Sequence, residues 1–413
     1  MSVGQHILYL SYDGMTDPLG QSQVLPYLKE LSRHGYEFTL ISFEKEKAFN
    51  KGKADIEKII EDTVIRWIPL PYHKSPPVIS TLYDVFVLKR KIKKLHKEKP
   101  FHIVHTRGYI TALAGLWMKK KWNVRFLFDM RGFFADERVD GKVWNLKNPI
   151  FRFVYNYFKN KEKQFFLEAN HVISLTHEGE KTIRSFPYIN KSFKCSVIPC
   201  CADLHHFSVL NINTQIANDF ALLHRLNTYT SRWFYIGSIG TWYMLSEMLD
   251  FFKIVLHHDA TSLLAFFTHD NPEQIFHMAK AKGIQENAII VMPLARKDIP
   301  SVISLFDASV FFIRPVFSKK ASSPTKQGEI MAMGIPIVCN DDVGDTGHII
   351  HTYHAGIAIS AFNNEEYEKA YNFIKNKQYN RNEILRGAKE WFSLSQGIDA
   401  YHKTYREMLS TEN

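Results

Sequence analysis

The chain has 413 residues, 45% of them hydrophobic and 23% charged, which is long for one core, room for two, and too apolar for extensive disorder. Fifty-two Lys and Arg against 42 Asp and Glu give a formal charge of +10, an attraction to polyanions that does not choose among nucleic acid, anionic lipid and phosphorylated ligands. Cys195, Cys200, Cys201 and Cys339 fit neither zinc spacing nor a secreted disulfide framework, and no run suits a signal peptide or membrane span. These features predict a cytoplasmic protein with reduced thiols and no metal.

Residues 6–11 (HILYLS) are a short apolar run, followed by the loop YDGMTDPLGQS and by apolar residues at helical spacing over 23–31. Strand, loop and helix open a doubly wound α/β fold. The loop lacks the Gly-x-Gly-x-x-Gly fingerprint, which counts against a dehydrogenase. Strands follow at 36–43 and 64–69. Past a Pro-rich connection at 69–77, Leu82, Val85, Phe86, Ile92 and Leu95 form a stripe with Lys89, Arg90, Lys93, Lys94 and Lys97 beside it. This amphipathic helix reads either as a solvated outer helix or as one docking on an anionic leaflet, at about 1 kcal/mol per basic residue.

Strands at 101–106 and 124–129 end in His105 and Arg107, and in Asp129 and Arg131. Carboxyl ends of parallel strands line the ligand crevice of open α/β sheets. These four are ligand candidates, with a structural hydrogen bond the alternative for a strand-end His. The segment FRFVYNYFKNKEKQFF, 151–166, predicts a long helix with its aromatic side on the sheet, and a membrane-facing belt as the lesser alternative. No RNP-like or helix-turn-helix motif accompanies it, so no nucleic acid partner is expected. A strand at 171–176, a helix at 177–186 and a strand at 196–199 lead to CCADLHHF, where a domain boundary is placed near Asp203. Adjacent His205 and His206 point differently, which argues against a metal pair.

The alternation restarts with strands at 234–237, 263–268, 288–292, 308–313, 335–339 and 356–359, and helical stretches between them. The expected fold is therefore two doubly wound Rossmann-like domains, 1–203 and 204–394, facing across a ligand cleft. Helices at 365–375, 382–391 and 395–409 end the chain. The turn Gly237-Ser238-Ile239-Gly240-Thr241 could bring its backbone close to a pyrophosphate, although Gly-x-x-Gly alone is a weak signal. The corner 322–336, SSPTKQGEIMAMGIP, follows the 308–313 run. Ser323 is placed to cap a helix, Pro324 fits its first position, and amides around Ser322, Ser323 and Thr325 face an anion. Lys326 and Glu329, three apart, would set an ammonium beside a phosphate and a carboxylate beside hydroxyls. Phosphate with polyol suggests a nucleotide sugar; a lone Lys-x-x-Glu would otherwise be a solvent pair.

SPTK, then Glu, then a small-residue helix ending Gly-x-Pro resembles the donor-binding segment of bacterial retaining glycosyltransferases of family 4, with the GT-B fold. DMRGFFADER and CCADLHHF resemble the same family. The resemblance implies a nucleoside diphosphate sugar donor, a sugar or lipid-linked glycan acceptor, retention of configuration, no cofactor, and surface polysaccharide or glycolipid assembly. It makes Asp13, Gly14, Gly20 and Gln21 acceptor-side candidates and sends the segment from 395 to 413 back to the first domain. His105 and Asp129 are then candidates for orienting the acceptor hydroxyl or the sugar. Two departures stand out. The family's Arg and Lys after the Gly240 loop are missing from 241–245, which leaves the cationic task to Lys326, with Arg296 or Arg314. The first of its paired glutamates falls at Ala321. A non-catalytic binding protein on the same fold and a sugar-nucleotide epimerase are the alternatives.

Overall fold

A computed structural model describes residues 5–410, and in it the chain divides into two units. One runs to Pro199 and takes up the chain again from Leu394; the other is Cys200–Ser393. The first is built on β1 (Gln5–Ser11), β2 (Tyr36–Glu44), β3 (Ile65–Pro71), β4 (Ile103–Arg107), β5 (Arg125–Asp129), β6 (His171–Ser174) and β7 (Cys195–Val197). They form a parallel sheet in the order β3-β2-β1-β4-β5-β6-β7. Runs such as Ile7 to Leu10 and Phe126 to Phe128 have both faces buried, as a parallel sheet covered by helices requires. In β1, Ile7 pairs with Phe38 on one side and Ile103 on the other, giving the amino-terminal half of the sheet's centre an apolar layer.

The second unit carries β8 (Ser231–Ile236), β9 (Ser262–Phe267), β10 (Ile289–Met292), β11 (Ala308–Val310), β12 (Ile337–Asn340) and β13 (Gly356–Ile359). Their order, β10-β9-β8-β11-β12-β13, repeats that of the first six strands of the other sheet. Both are doubly wound, with the order reversing beside the unit's first strand, where such folds bind ligands. Trp233, Phe234, Tyr235, Phe251 and Phe312 fill this unit's core.

Several boundaries differ from those expected. The apolar run 308–313 leaves the ladder after Val310. Beyond that point Asn340 takes over, its Oδ1 accepting from the Ile313 N–H at 2.8 Å and its Nδ2 donating to the Ile313 carbonyl at 3.0 Å. The expected helix at 23–31 is two helices, Pro18–Gln23 and Leu25–Arg33, so Gly20 and Gln21 are helical rather than in a loop. The helices Glu46–Ile60 and Tyr109–Trp122 follow β2 and β4. The terminal helix, Leu394–Ser410, belongs to the first unit, where Tyr401 meets Tyr27 edge to face and Tyr36 bonds His402. Among the described residues no helix is long and apolar enough to cross a membrane.

Candidate functional site

In the second unit, strand alternation buries Tyr235 near the carboxyl end of β8, two residues before Gly237. Gly237 has φ +112°, and a Cβ built there would stand 3.0 Å from the Lys326 ammonium. Glycine is thus required both by the backbone and by the close approach of the lysine. Lys326 lies in the first turn of the helix Thr325–Ala332. Its Nζ donates to the Tyr235 hydroxyl at 2.9 Å and lies 3.6 Å from the Tyr243 ring centroid and 4.0 Å from that of Tyr235. The residue keeps some exposed surface while its charged end sits among these rings. Burial pushes its pKa well below the ordinary lysine value, opposed by Glu329.

The helix starts one residue later than expected. Pro324 occupies the position before its first turn, and Ser323 does not cap it. The Ser323 hydroxyl accepts instead from the Cys200 N–H at 3.2 Å, tying the corner to the segment that enters the unit. Ser322 and Thr325 are half-buried on either side, and Ala321 is fully buried at the end of the turn Phe317–Ala321. On that turn Lys319 places its ammonium 3.6 Å from the Trp242 ring centroid.

Glu329, one turn after Lys326, is held by Arg296 at 3.3 Å, and Arg296 in turn lies over the Phe207 ring. Burial raises the Glu329 pKa against the pull of Arg296. Arg296 therefore serves the carboxylate, a different task from the anion contact expected of it. The loop after β8 also differs from expectation, because a carboxylate already sits on it. Asp270, just past β9, accepts from the Ile239 N–H and from the Ser238 hydroxyl at 3.1 Å. Burial alone would raise its pKa, but these donors, with the Gly240 N–H, hold it low. Tyr235, Tyr243, Lys319 and Asp270 were not singled out in the sequence. For Tyr235 a signal was present, a polar aromatic closing the strand two residues before a glycine turn.

In the first unit, His105, Arg107, Asp129 and Arg131 do come together, but below the surface. His105 and Asp129 keep 2% and 0% of their surface, which corrects the expectation that they orient an acceptor hydroxyl directly. His105 Nδ1 is 2.6 Å from the Tyr405 hydroxyl, and Tyr401 donates to Asp129 at 3.0 Å, both from the terminal helix. Arg107 and Arg131 stand 3.9 and 3.7 Å from the carboxylate. Burial would raise the Asp129 pKa, yet Arg131, His105 and Arg107 bring it to about 2. Burial likewise lowers that of His105 against the pull of Asp129. Arg107 connects this cluster outward to half-exposed Asp13, 3.7 Å from its Nε. Gly14 is pressed against buried Glu44, which accepts from the Met15 N–H at 2.7 Å, and Gln21 bonds the Thr16 carbonyl. Asp13 and Gln21 are therefore the exposed members of this set, and Asp13 is the one that touches the Arg107 cluster.

Ligand atoms of His257, His258 and Glu368 lie within 4.8 Å of one another at the surface of the second unit, with His258 bonded to Glu368. None of the residues around Lys326 belongs to that group.

Two family models match the sequence. Glycosyltransferase Family 4 covers residues 21–206, and Glycosyl transferases group 1 covers 225–391. No match to the chain was found among curated proteins. Among solved structures, a glycosyltransferase from Rickettsia africae ESF-5 superposes with a TM-score of 0.72 at 14% identity, over 99% of this chain and 100% of the other. Sucrose-phosphate synthase from Thermosynechococcus elongatus gives 0.73 at 12%, again over 99% and 100%. Anabaena HepE in complex with UDP-glucose gives 0.67 at 11%, over 97% and 99%. At such identities these likenesses establish the fold, and the two family models carry the chemistry.

Proposed function

We propose that this chain, a glycosyltransferase of the GT-B type matched by the two family models over residues 21–206 and 225–391, transfers a sugar from a nucleoside diphosphate sugar to a hydroxyl acceptor with retention of configuration. The observation that carries the donor assignment is the Lys326 ammonium, held by Tyr235 and Tyr243 against a bare glycine turn. Departure of the leaving group builds negative charge on the diphosphate. A preorganised ammonium at a helix N-terminus stabilises that charge more in the transition state than in the ground state. Glu329, oriented by Arg296, accepts hydrogen bonds from the ribose hydroxyls. The HepE complex with UDP-glucose supports a uridine nucleotide as the first donor to try.

On the acceptor side, Asp13 contacts the sugar or lipid-linked glycan, while His105, Asp129 and Arg107 fix the rim from beneath. No metal takes part in this scheme, and the setting is the cytoplasmic assembly of bacterial surface polysaccharide or glycolipid. Buried Ala321, where a glutamate would lie, and Asp270 on the loop amides favour one second reading, a nucleotide-sugar binder without turnover.

Release of nucleoside diphosphate from a panel of nucleotide sugars, with and without glycan acceptors, separates the readings. Acceptor-dependent release is expected, and the anomeric proton coupling of the product reports retention. Nucleotide binding without release from any donor would favour the binder, and conversion of the donor without acceptor would mark an epimerase.

A further inference from the structure

Two helices of the first unit each carry two apolar stripes where a surface helix needs one. On Ile79–Glu98 the inner stripe, Val85, Leu88, Ile92 and Leu95, is buried, while Ile79, Leu82 and Phe86 are 64%, 57% and 61% exposed. On Pro149–Glu168 the inner stripe is Val154, Phe158 and Phe165, while Ile150 and Phe153 are 64% and 71% exposed, with Tyr157 beside them. The outer residues repeat at the same i, i+3, i+7 spacing on both helices. Scattered single apolar residues need no explanation, but two matching outward stripes do.

The stripes meet over the helix Tyr109–Trp122, which contributes Leu116 and Trp117 to an open groove of about 440 Å³ between them. Its titratable lining is Lys89, Lys120, Lys161 and Tyr157, with no carboxylate among the described lining residues. Lys89 and Lys121 lie 5.8 and 5.5 Å from the Trp117 ring centroid. The outer stripe of the first helix passes from Ile79, Leu82 and Phe86 directly into Lys89 and Lys93. Apolar tips beside indole, phenol and amines are the composition of a protein surface seated at the boundary of headgroups and acyl chains.

We propose that these three helices form one face that docks on an anionic lipid bilayer. Ile79, Leu82, Phe86, Ile150 and Phe153 enter the acyl boundary, and Lys89, Lys93 and Lys161 meet lipid phosphates. A protein groove for a second copy of the chain would need acidic complements, and the groove supplies only amines. The assignment goes beyond the transfer reaction and holds whichever sugar is moved.

The test is co-sedimentation of the full chain with vesicles of phosphatidylcholine alone or mixed with phosphatidylglycerol. Binding to the mixed vesicles is expected, at least about ten-fold tighter than to neutral ones, and weakening with salt. The variant Leu82→Ser/Phe86→Ser/Phe153→Ser should keep its melting temperature, since all three are exposed, and lose about ten-fold or more in vesicle affinity. Lys89→Gln/Lys93→Gln/Lys161→Gln should lose about a hundred-fold, at roughly five-fold per charge. Equal binding to both vesicle types, or wild-type binding by the apolar variant, would overturn the proposal. So would a dimer in sedimentation, without vesicle binding, that the apolar variant dissolves, since that result assigns the face to a second copy.

Discussion

Lys326 is stored in a state its proposed ligand would change. Burial has driven its pKa down, and a diphosphate arriving beside the ammonium raises it again. The lysine pKa is then higher in the complex than in the free protein, so binding takes up a proton between the two values. Affinity should be level below the lower value, fall by about ten-fold per pH unit between them, and level off above the higher. Calorimetric titration with UDP in buffers of different protonation heat reads this directly, and identical heats in every buffer would refute it. Lys326→Ala should abolish the proton uptake and lower turnover by roughly two to three orders of magnitude. Tyr235 has a separate duty, since its hydroxyl both accepts from Lys326 and donates to the Ser238 carbonyl, fixing lysine and loop together.

Among the elements, the loop after the first strand is built alike in both units. In each, an acidic residue at the end of the second strand holds that loop: Glu44 accepts from Met15 and Thr16, and Asp270 from Ser238 and Ile239. In the second unit this carboxylate stands where the proposed diphosphate would come, so it opposes the ligand while it orders the loop. Asp270→Asn should tighten UDP binding by about five-fold, from one removed repulsion near the surface, and lower thermal stability. Asp270 has a depressed pKa, so its contribution is present above the ordinary carboxylate range and lost as pH falls through the folded value; the variant's stability deficit should vanish in acid. Weaker UDP binding by the variant would mean the loop's order matters more than the charge.

The strands were legible because each is a short apolar run closed by turn residues, and Lys326 and Glu329 because their relation is local to one helix. The ring cage was not, since Tyr235 and Lys326 are 91 residues apart and meet only through the pairing of β8 with β11. Two of the helices that escaped did so for opposite reasons. Glu46–Ile60 fully buries only Ile56 and has a sparse stripe, Phe49, Ile56 and Ile60, set among lysines, whereas Tyr109–Trp122 is apolar nearly all round and so has no periodicity to read. The end of β11 was hidden because a side chain, Asn340, completes the backbone bonds that a neighbouring strand would have supplied.

At the scale of the whole molecule, the two units have their own sheets and cores, while the last helix of the chain is part of the first. Thermal unfolding should therefore show two calorimetric transitions rather than one. UDP should raise only the transition of Cys200–Ser393, because Lys326, Glu329 and their partners all lie there, by about 2.7 kcal/mol at a hundred times its Kd. Removing the chain after Ser393 should lower only the other transition, because Asp129 and His105 then lose Tyr401 and Tyr405 while remaining charged or polar in the sheet. Leaving such a buried group unpaired costs about 1–3 kcal/mol. The same cluster sets the acid limit of the first unit. With its folded pKa at about 2 against an ordinary 3.8, Asp129 contributes stability that is complete above the ordinary value and lost as pH falls between the two. That contribution is roughly 2 kcal/mol. Asp129→Asn should thus lower the first unit's transition at neutral pH and flatten its decline in acid. A neutral-pH transition unmoved by either the truncation or Asp129→Asn would mean that the terminal helix does not hold the charged cluster in place.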